Sequence, residues 1–441
     1  MNNNPKQQIT DPALSNTLSL NPQPNNGNKL PKVKKVEKDT AAKFMATLVA
    51  ILAGLIVGLL IMIISRPYEA LPSFYTLIGG WMLLPSQGLT GIGNWLGSLA
   101  PVLMTGLAVG FAFKTGLFNI GASGQFTMGM FFALLIAILL KDIPGPWLWM
   151  LACLGGILGG ALWGLVPGLT KAFFNVNEVI TCIMMNYIGM YTVNELIRRI
   201  PGLYDGSRNL TARIGENAFN PTIGLRYIFR NSSIDIAFVI AILLAIFIYF
   251  VLNKTILGYE LKACGLNREA ARYGGISEKR AITISFLIAG GLAGLGGAFM
   301  ILASGADLTY VGPNAGYGFG SGTHYSIAEV ILNEGFDGIA IALLGQSNPI
   351  GIIFSTLFVS FIKRGGNTIQ IYGFKPEIID IIVAVIVYFS AFALLIGGII
   401  TRVKKKRNDK LAFQENVVPP TPSDPSIVDV DKIIIKTGGD Q

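Results

Sequence analysis

Histidine occurs once in this chain, at His324, so neither a histidine-based metal cluster nor a Ser/His relay is available. A lone histidine of this kind reads as a satisfied loop residue. Cysteine occurs three times, at Cys153, Cys182 and Cys264, spread too widely for a disulfide framework or a zinc site. These three read as small apolar filler. The nucleotide-binding run ending in Gly-Lys-Ser/Thr is missing. GYGFGSG, from Gly316 to Gly322, has the glycines but neither a preceding strand nor that ending, and reads as a flexible or re-entrant loop. The chain by itself should therefore not hydrolyse ATP. Charge is also scarce: Asp, Glu, Lys and Arg make up 13% of 441 residues, against 52% hydrophobic residues and a mean hydropathy of +0.57. That balance excludes an ordinary soluble globular protein and puts the chain in a membrane.

What is present is a series of apolar runs. The first, Phe44 to Ile64, holds 21 residues without a charge, enough to cross roughly 30 Å of hydrocarbon at about 1.5 Å per residue. A signal-peptide core is shorter, about 7–15 residues, and lies nearer the start, so this run reads as a retained first span. Further spans are expected near 95–113, 118–140, 147–170, 179–197, 233–252, 281–303 and 377–400. Two short pieces, 337–345 and 350–362, flank the breaker Gln346-Ser347-Asn348-Pro349. Counted as half-length or tilted crossings, they bring the total to ten. The net charge of +9 sits just outside the spans, at Lys32, Lys34, Lys35, Lys38 and Lys43 and at Lys404, Lys405 and Lys406. This positive-inside pattern points to a membrane surface, not to nucleic acid, and places both termini in the cytoplasm. The Asn-, Pro- and Gln-rich residues 1–42 and the tail 404–441 cannot bury enough apolar surface to order themselves. The ten-span count puts the cations between Lys254 and Arg280 inside. It puts the arginines of 198–232 outside, against the same rule.

Glycines at 156, 160, 164 and 168 line one helix face, and Gly290 and Gly294 repeat the spacing. Small residues so placed let helix backbones approach closely in lipid, so the fold class is an all-α polytopic bundle. Polar groups interrupt it at three places. KTGLFNIGASGQFT, from Lys114, opens an apolar run with Asn119, Ser123 and Gln125, which either line a translocation path or cap a helix at the membrane boundary. Asn186, mid-way along NEVITCIMMNYIGMYTVNELI, is either an interhelical anchor or a contact for solute. GFDGIAIALLGQSNPIGI reads as a broken span, with Asp337 serving either the pathway or the helix N-terminus.

The fourth interruption is GYELKACGLNREAARYGGIS, Gly258 to Ser277. Asn267 is a good N-cap, Arg268 to Tyr273 gives fewer than two turns, and Gly274 is placed for a left-handed C-cap. A helix this short is unstable alone. It must rest either on the bundle alone or also on a soluble partner, to which Leu261, Ala270, Ala271 and Tyr273 would be presented.

Taken together, FNIGASGQ, NEVITCIMMNYI, GYELKACGLNREAARYGGIS and GFDGIAIALLGQSNPIGI resemble the membrane permease subunits of ABC importers. They are most similar to the nucleoside branch of the group related to branched-chain amino acid and ribose permeases. The resemblance runs from about Gly106 to Ala391 and implies an importer membrane domain over 43–403 with a cytoplasmic coupling loop at 258–277. It implies a multi-pass protein of the cell membrane, without an ATPase site of its own, that moves a nucleoside or related riboside. ATP and Mg would be held by a partner ATPase, and the other implied partners are a second permease chain and a substrate-binding lipoprotein. Ala263, Gly265, Asn267, Ala270, Ala271, Tyr273 and Gly274 map onto the helix that docks on the ATPase. Relatives often carry a carboxylate where Ser123 stands, and SGTHYSIAEVILNE extends the stretch before Gly335. The alternatives are a sugar or branched-chain amino acid permease, or an ion-coupled carrier, which would need buried carboxylates where Glu178, Glu195 and Asp337 lie near span ends.

Overall fold

The computed structural model describes residues 34–83, 88–207, 209–229, 232–303, 324, 325, 327, 331–375 and 377–389. The tail expected over 404–441, most of that over 1–42 and the loop at 316–322 lie outside the described residues. Helices fill nearly all of the rest: α1 (Lys34–Ser65), α2 (Ala70–Leu77), α3 (Gly88–Gly97), α4 (Leu99–Lys114), α5 (Ala122–Leu139), α6 (Gly145–Phe174) and α7 (Glu178–Arg199), then α8 (Leu225–Ile228), α9 (Ala237–Lys254), α10 (Ile256–Leu266), α11 (Arg268–Tyr273), α12 (Glu278–Ile301), α13 (Glu334–Leu344), α14 (Pro349–Ile369) and α15 (377–389). Among the described residues the only sheet is a two-stranded antiparallel ribbon, β1 (Tyr204–Asp205) with β2 (Leu210–Thr211).

Helix lies at each of the ten expected spans. Five stretches are long and apolar enough to cross a membrane: α3–α4, α5, α6, α9 and α12. The pair α13–α14, bent by 120°, makes a sixth if counted as one. The break falls at the expected breaker. Gln346 and Ser347 take left-handed backbone (φ 54° and 52°), and Asn348 Oδ1 accepts the Ile350 N–H at 3.1 Å. Pro349 then occupies the first turn of α14, where its missing N–H costs nothing.

The core is held by glycine. α5, α6 and α12 pack backbone to backbone, as the fourfold spacing predicts. A methyl group at Gly160 would lie 2.6 Å from Gly294 Cα, and one at Gly294 would run into the Gly156 carbonyl. At these contacts no side chain separates the helices, so dispersion between close-packed backbones supplies the cohesion that lipid cannot.

Contacts at the helix ends sort the bundle into two faces. On one, the turn after α4 meets α10 at Gly116 and Gly265, Lys171 pairs with Glu178 at 2.9 Å, Lys279 Nζ lies 5.0 Å from the Phe173 ring centroid, and Lys262 reaches Asn253. On the other, Asn220 gathers four partners. Its side chain accepts from Trp149 Nε1 (2.7 Å) and donates to Asp235 Oδ2 (2.9 Å) and Phe299 O (3.1 Å), and its N–H donates to Leu302 O. Tyr325 OH donates to Asn194 there, and His324 Nδ1 lies 3.0 Å from Thr211 O. The 198–232 loop is thus tied to the face opposite α10 and α11, as a single crossing by α9 between them requires.

Candidate functional site

The first three expected site residues converge where α4 turns into α5. Asn119 and Gln125 bond reciprocally, Nδ2 to Oε1 at 2.8 Å and Nε2 to Oδ1 at 3.2 Å, and both are fully buried. Gly121, the N-cap of α5, has no side chain with which to cap the helix. Asn186 supplies the cap from α7: its Oδ1 accepts the Gly124 N–H at 2.8 Å, and its Nδ2 donates to Ile120 O at 3.1 Å. One of the orphan N–H groups at the start of α5 is therefore satisfied by another helix and does not face an open path. Ser123 donates to Leu332 O, and Gly335 of α13 lies directly against the Ser123 backbone. Asn119, Ser123, Gln125 and Asn186 are thus all buried and hydrogen-bonded, the first and third to each other and the others to backbone, in a region joining α5, α7 and the start of α13.

Asp337 stands apart from that cluster. It lies in the first turn of α13, but its carboxylate pairs with Lys363 Nζ of α14 at 2.5 Å; Asp380 of α15 is 3.8 Å from the same ammonium. The acid clasps the broken helix pair together. One turn earlier, Glu334 Oε2 is buried and accepts no hydrogen bond, while Glu334 O accepts from Thr105 Oγ1 at 2.9 Å. Lys363 also borders a mixed polar and apolar cavity with Asn94, Ser98, Ser360 and Asn367, on the face opposite α10. Sequence reasoning missed Lys363 and Glu334. The signal was there: FIKRGG sets two cations at the end of an apolar run, and a cation so placed needs an acid on a neighbouring helix.

The charged segment forms two short helices. Thr255 caps α10, accepting the Gly258 N–H at 3.1 Å, and Asn267 caps α11, accepting the Ala270 N–H at 3.0 Å, as expected. The C-cap differs from expectation by one residue. Gly274 has φ −75°, and the left-handed residue is Gly275 at φ +81°. Gly275 N–H bonds Arg272 O and Ile276 N–H bonds Ala271 O, the double closure of a Schellman turn. The expected docking surface also changes. Leu261 and Ala271 are buried against the bundle at 1% and 6% exposure, whereas Leu266 and Tyr273 project at 88% and 94%, with Ala270 exposed beside them. Ala271 is therefore a packing residue, and an acid there would disrupt the seat of α11 before it touched any partner. Ala263 is half-buried, and Gly265 lies against Thr115 and Gly116. Burial, with the Glu278 and Glu260 carboxylates nearby, pushes the Cys264 thiol above its ordinary pKa.

Residues 91–396 match the family described as "Branched-chain amino acid transport system / permease component". The chain is 33% identical over 368 residues to the nucleoside ABC transporter permease protein NupB of Lactococcus lactis subsp. cremoris (strain MG1363), covering 82% of this chain and 94% of that one. It is 34% identical to the guanosine ABC transporter permease protein NupP of Bacillus subtilis (strain 168), over 82% of this chain and 97% of the relative. A second Bacillus subtilis chain, the guanosine ABC transporter permease protein NupQ, is 26% identical over 59% of this chain and 77% of its own length. No solved structure matches the chain.

Proposed function

The chain belongs to the permease-component family of the branched-chain amino acid transport system and is a transmembrane permease subunit of an ABC importer; we propose that its solute is a nucleoside or a related riboside. The observation that carries the solute class is the 33–34% identity to the nucleoside and guanosine permeases, which extends over nearly their whole lengths. A second, different permease chain is its proposed partner, because one organism's guanosine permeases include two relatives of this chain. An ATPase holding ATP and Mg and an external lipoprotein that captures the solute complete the proposed complex.

In this reading both termini and the 256–277 segment face the cytoplasm. The exposed Leu266, Ala270 and Tyr273 dock on the ATPase, with Asn267 and the Gly274–Gly275 turn holding α11 in shape. ATP binding closes the ATPase halves, and the docked helix carries that motion into the bundle, switching access between the two faces. The chain itself makes and breaks no covalent bond. The polar cluster of Asn119, Ser123, Gln125 and Asn186, with the Asp337 clasp, is assigned to the pathway as the part that rearranges. Every group in the cluster is already paired, so solute passage exchanges these bonds and does not fill vacant ones.

The test is uptake of labelled nucleoside into proteoliposomes holding the full complex, with and without ATP on the α11 side. ATP-dependent accumulation is the expected result. Accumulation driven by an ion gradient without the ATPase would sink the reading in favour of a carrier.

A further inference from the structure

We propose that the backbone contact between Gly116 and Gly265 is the point at which movement of the coupling segment enters the membrane core, with Thr115 and Ser285 as its positioning residues. The inference rests on the proposed docking of α11 on an ATPase. Gly265 is in the last turn of α10, and Gly116 closes the C-terminus of α4. A methyl group on Gly265 would lie 2.6 Å from the Thr115 carbonyl carbon and 2.8 Å from Gly116 N; one on Gly116 would lie 2.6 Å from Gly265 Cα. The two chains touch main chain to main chain. Side-chain contacts can absorb a displacement by changing rotamer, but two abutting backbones have no such slack, so a shift of α10 is passed on whole.

What lies on the far side of the contact makes it a transmission point. Gly116 has φ +74°, and the Gly116 and Leu117 N–H groups bond Phe113 O and Ala112 O, so the contact presses on the terminal cap of α4. Thr115 Oγ1 and Ser285 Oγ lie 2.5 Å apart, fully enclosed, and hold the turn against α12. From there residues 117–125 run directly into the Asn119–Gln125 pair, the Asn186 cap and the Ser123–Leu332 bond. A displacement entering at Gly265 thus reaches α4, α5, α7 and α13 within ten residues of chain.

The test uses the full reconstituted complex and reads ATP hydrolysed per nucleoside imported, which a merely structural residue would not change. Gly116→Ala would combine the contact with strain at positive φ, so Gly265→Ala, at ordinary helical backbone, is the variant of choice. Forcing α10 and the 115–116 turn apart should raise the ratio by about tenfold, the order of a typical coupling between sites. Thr115→Val, which removes the hydroxyl facing Ser285, should raise the ratio as well, and Thr115→Ser should restore it. Tyr273→Asp probes the docking premise alone and should lower ATPase co-purification. Normal co-purification and uptake in Tyr273→Asp would overturn the premise. Loss of docking there with wild-type ratios in Gly265→Ala and Thr115→Val would overturn the transmission point only. Should Gly265→Ala fail to assemble, Thr115→Val against Thr115→Ser decides by the same ratio.

Discussion

Replacing Asn186 by leucine separates the two roles that an amide in mid-membrane can have. Leucine keeps the branching and heavy-atom count of asparagine but removes both the acceptor of the Gly124 N–H and the donor to Ile120 O. The first loss uncaps α5, whose own N-cap is a glycine; losing a side-chain cap costs about 0.5–2 kcal/mol. The second removes one hydrogen bond between membrane segments, worth about 0.6–1.7 kcal/mol. Together they come to about 1–4 kcal/mol, partly offset by the burial of an apolar side chain. That is a large share of the roughly 5–15 kcal/mol typical of a folded domain. The purified complex in detergent, heated at one fixed scan rate and assayed by fluorescence-detected size exclusion, should lose its monodisperse peak several degrees earlier than wild type. Asn186→Asp keeps an acceptor for Gly124 and should recover part of the loss. An unchanged midpoint in Asn186→Leu, with uptake abolished, would refute the capping role and show that the amide serves the solute.

Three further outcomes follow from the packing and the ion pairs. Gly294→Val should abolish assembly, because its branched side chain meets the Gly156 carbonyl and the Gly160 backbone and overpacking costs about 1–3 kcal/mol even where neighbours can adjust; a monodisperse variant with wild-type yield would contradict the backbone contact. Lys363→Met should destabilise by an amount between the about 0–1 kcal/mol of an exposed pair and the 3–5 kcal/mol of a buried one, since both partners are nearly a fifth exposed. The double exchange Asp337→Lys with Lys363→Asp should regain thermal stability, and no regain would show that the pair is incidental. Glu334→Gln should leave ATP-driven uptake within a few-fold of wild type, because an amide fits the space of a carboxylate whose Oε2 accepts no hydrogen bond; complete loss with the ATPase still active would favour a proton- or ion-coupled step.

The glycine core was legible because it is a one-dimensional pattern: four glycines at intervals of four must share a helix face, and the partner face carries the same spacing at Gly290 and Gly294. The Asn267 cap was nearly as legible, since it acts on an N–H group three residues away. The left-handed position was misplaced because two glycines stand side by side, and which of them leaves the helix depends on where Ile276 finds a carbonyl. Asp337 could not be resolved from sequence. A cap is local, but the partner it chose, Lys363, is 26 residues away across a 120° bend. The side to which Ala271 turns is open in the sequence for a similar reason: an alanine carries no apolar signal strong enough to say which side of a six-residue helix faces the bundle.

These contacts divide the molecule by mechanical character. Where α5, α6 and α12 meet, glycine backbones interlock, and sliding one helix past another would drive carbonyl oxygens into Cα atoms. That unit moves as a whole or not at all. The segments at 115–125 and 331–337 are held differently. Backbones also meet here, at Gly116–Gly265 and Gly335–Ser123, but the polar anchors are individual hydrogen bonds, at Thr115–Ser285, Asn186–Gly124, Ser123–Leu332 and Thr105–Glu334, and one ion pair at Asp337–Lys363. Each of these hydrogen bonds can be exchanged for water or for a polar solute at a net cost of about 1 kcal/mol or a little more. A nucleoside, with its own hydroxyls and ring nitrogens, offers donors and acceptors of the kind such bonds need on release. Under the proposed function, the polar side chains that stood out in an apolar sequence fall in the part of the bundle that opens, and the glycines shared by α5, α6 and α12 in the part that holds its shape while it does.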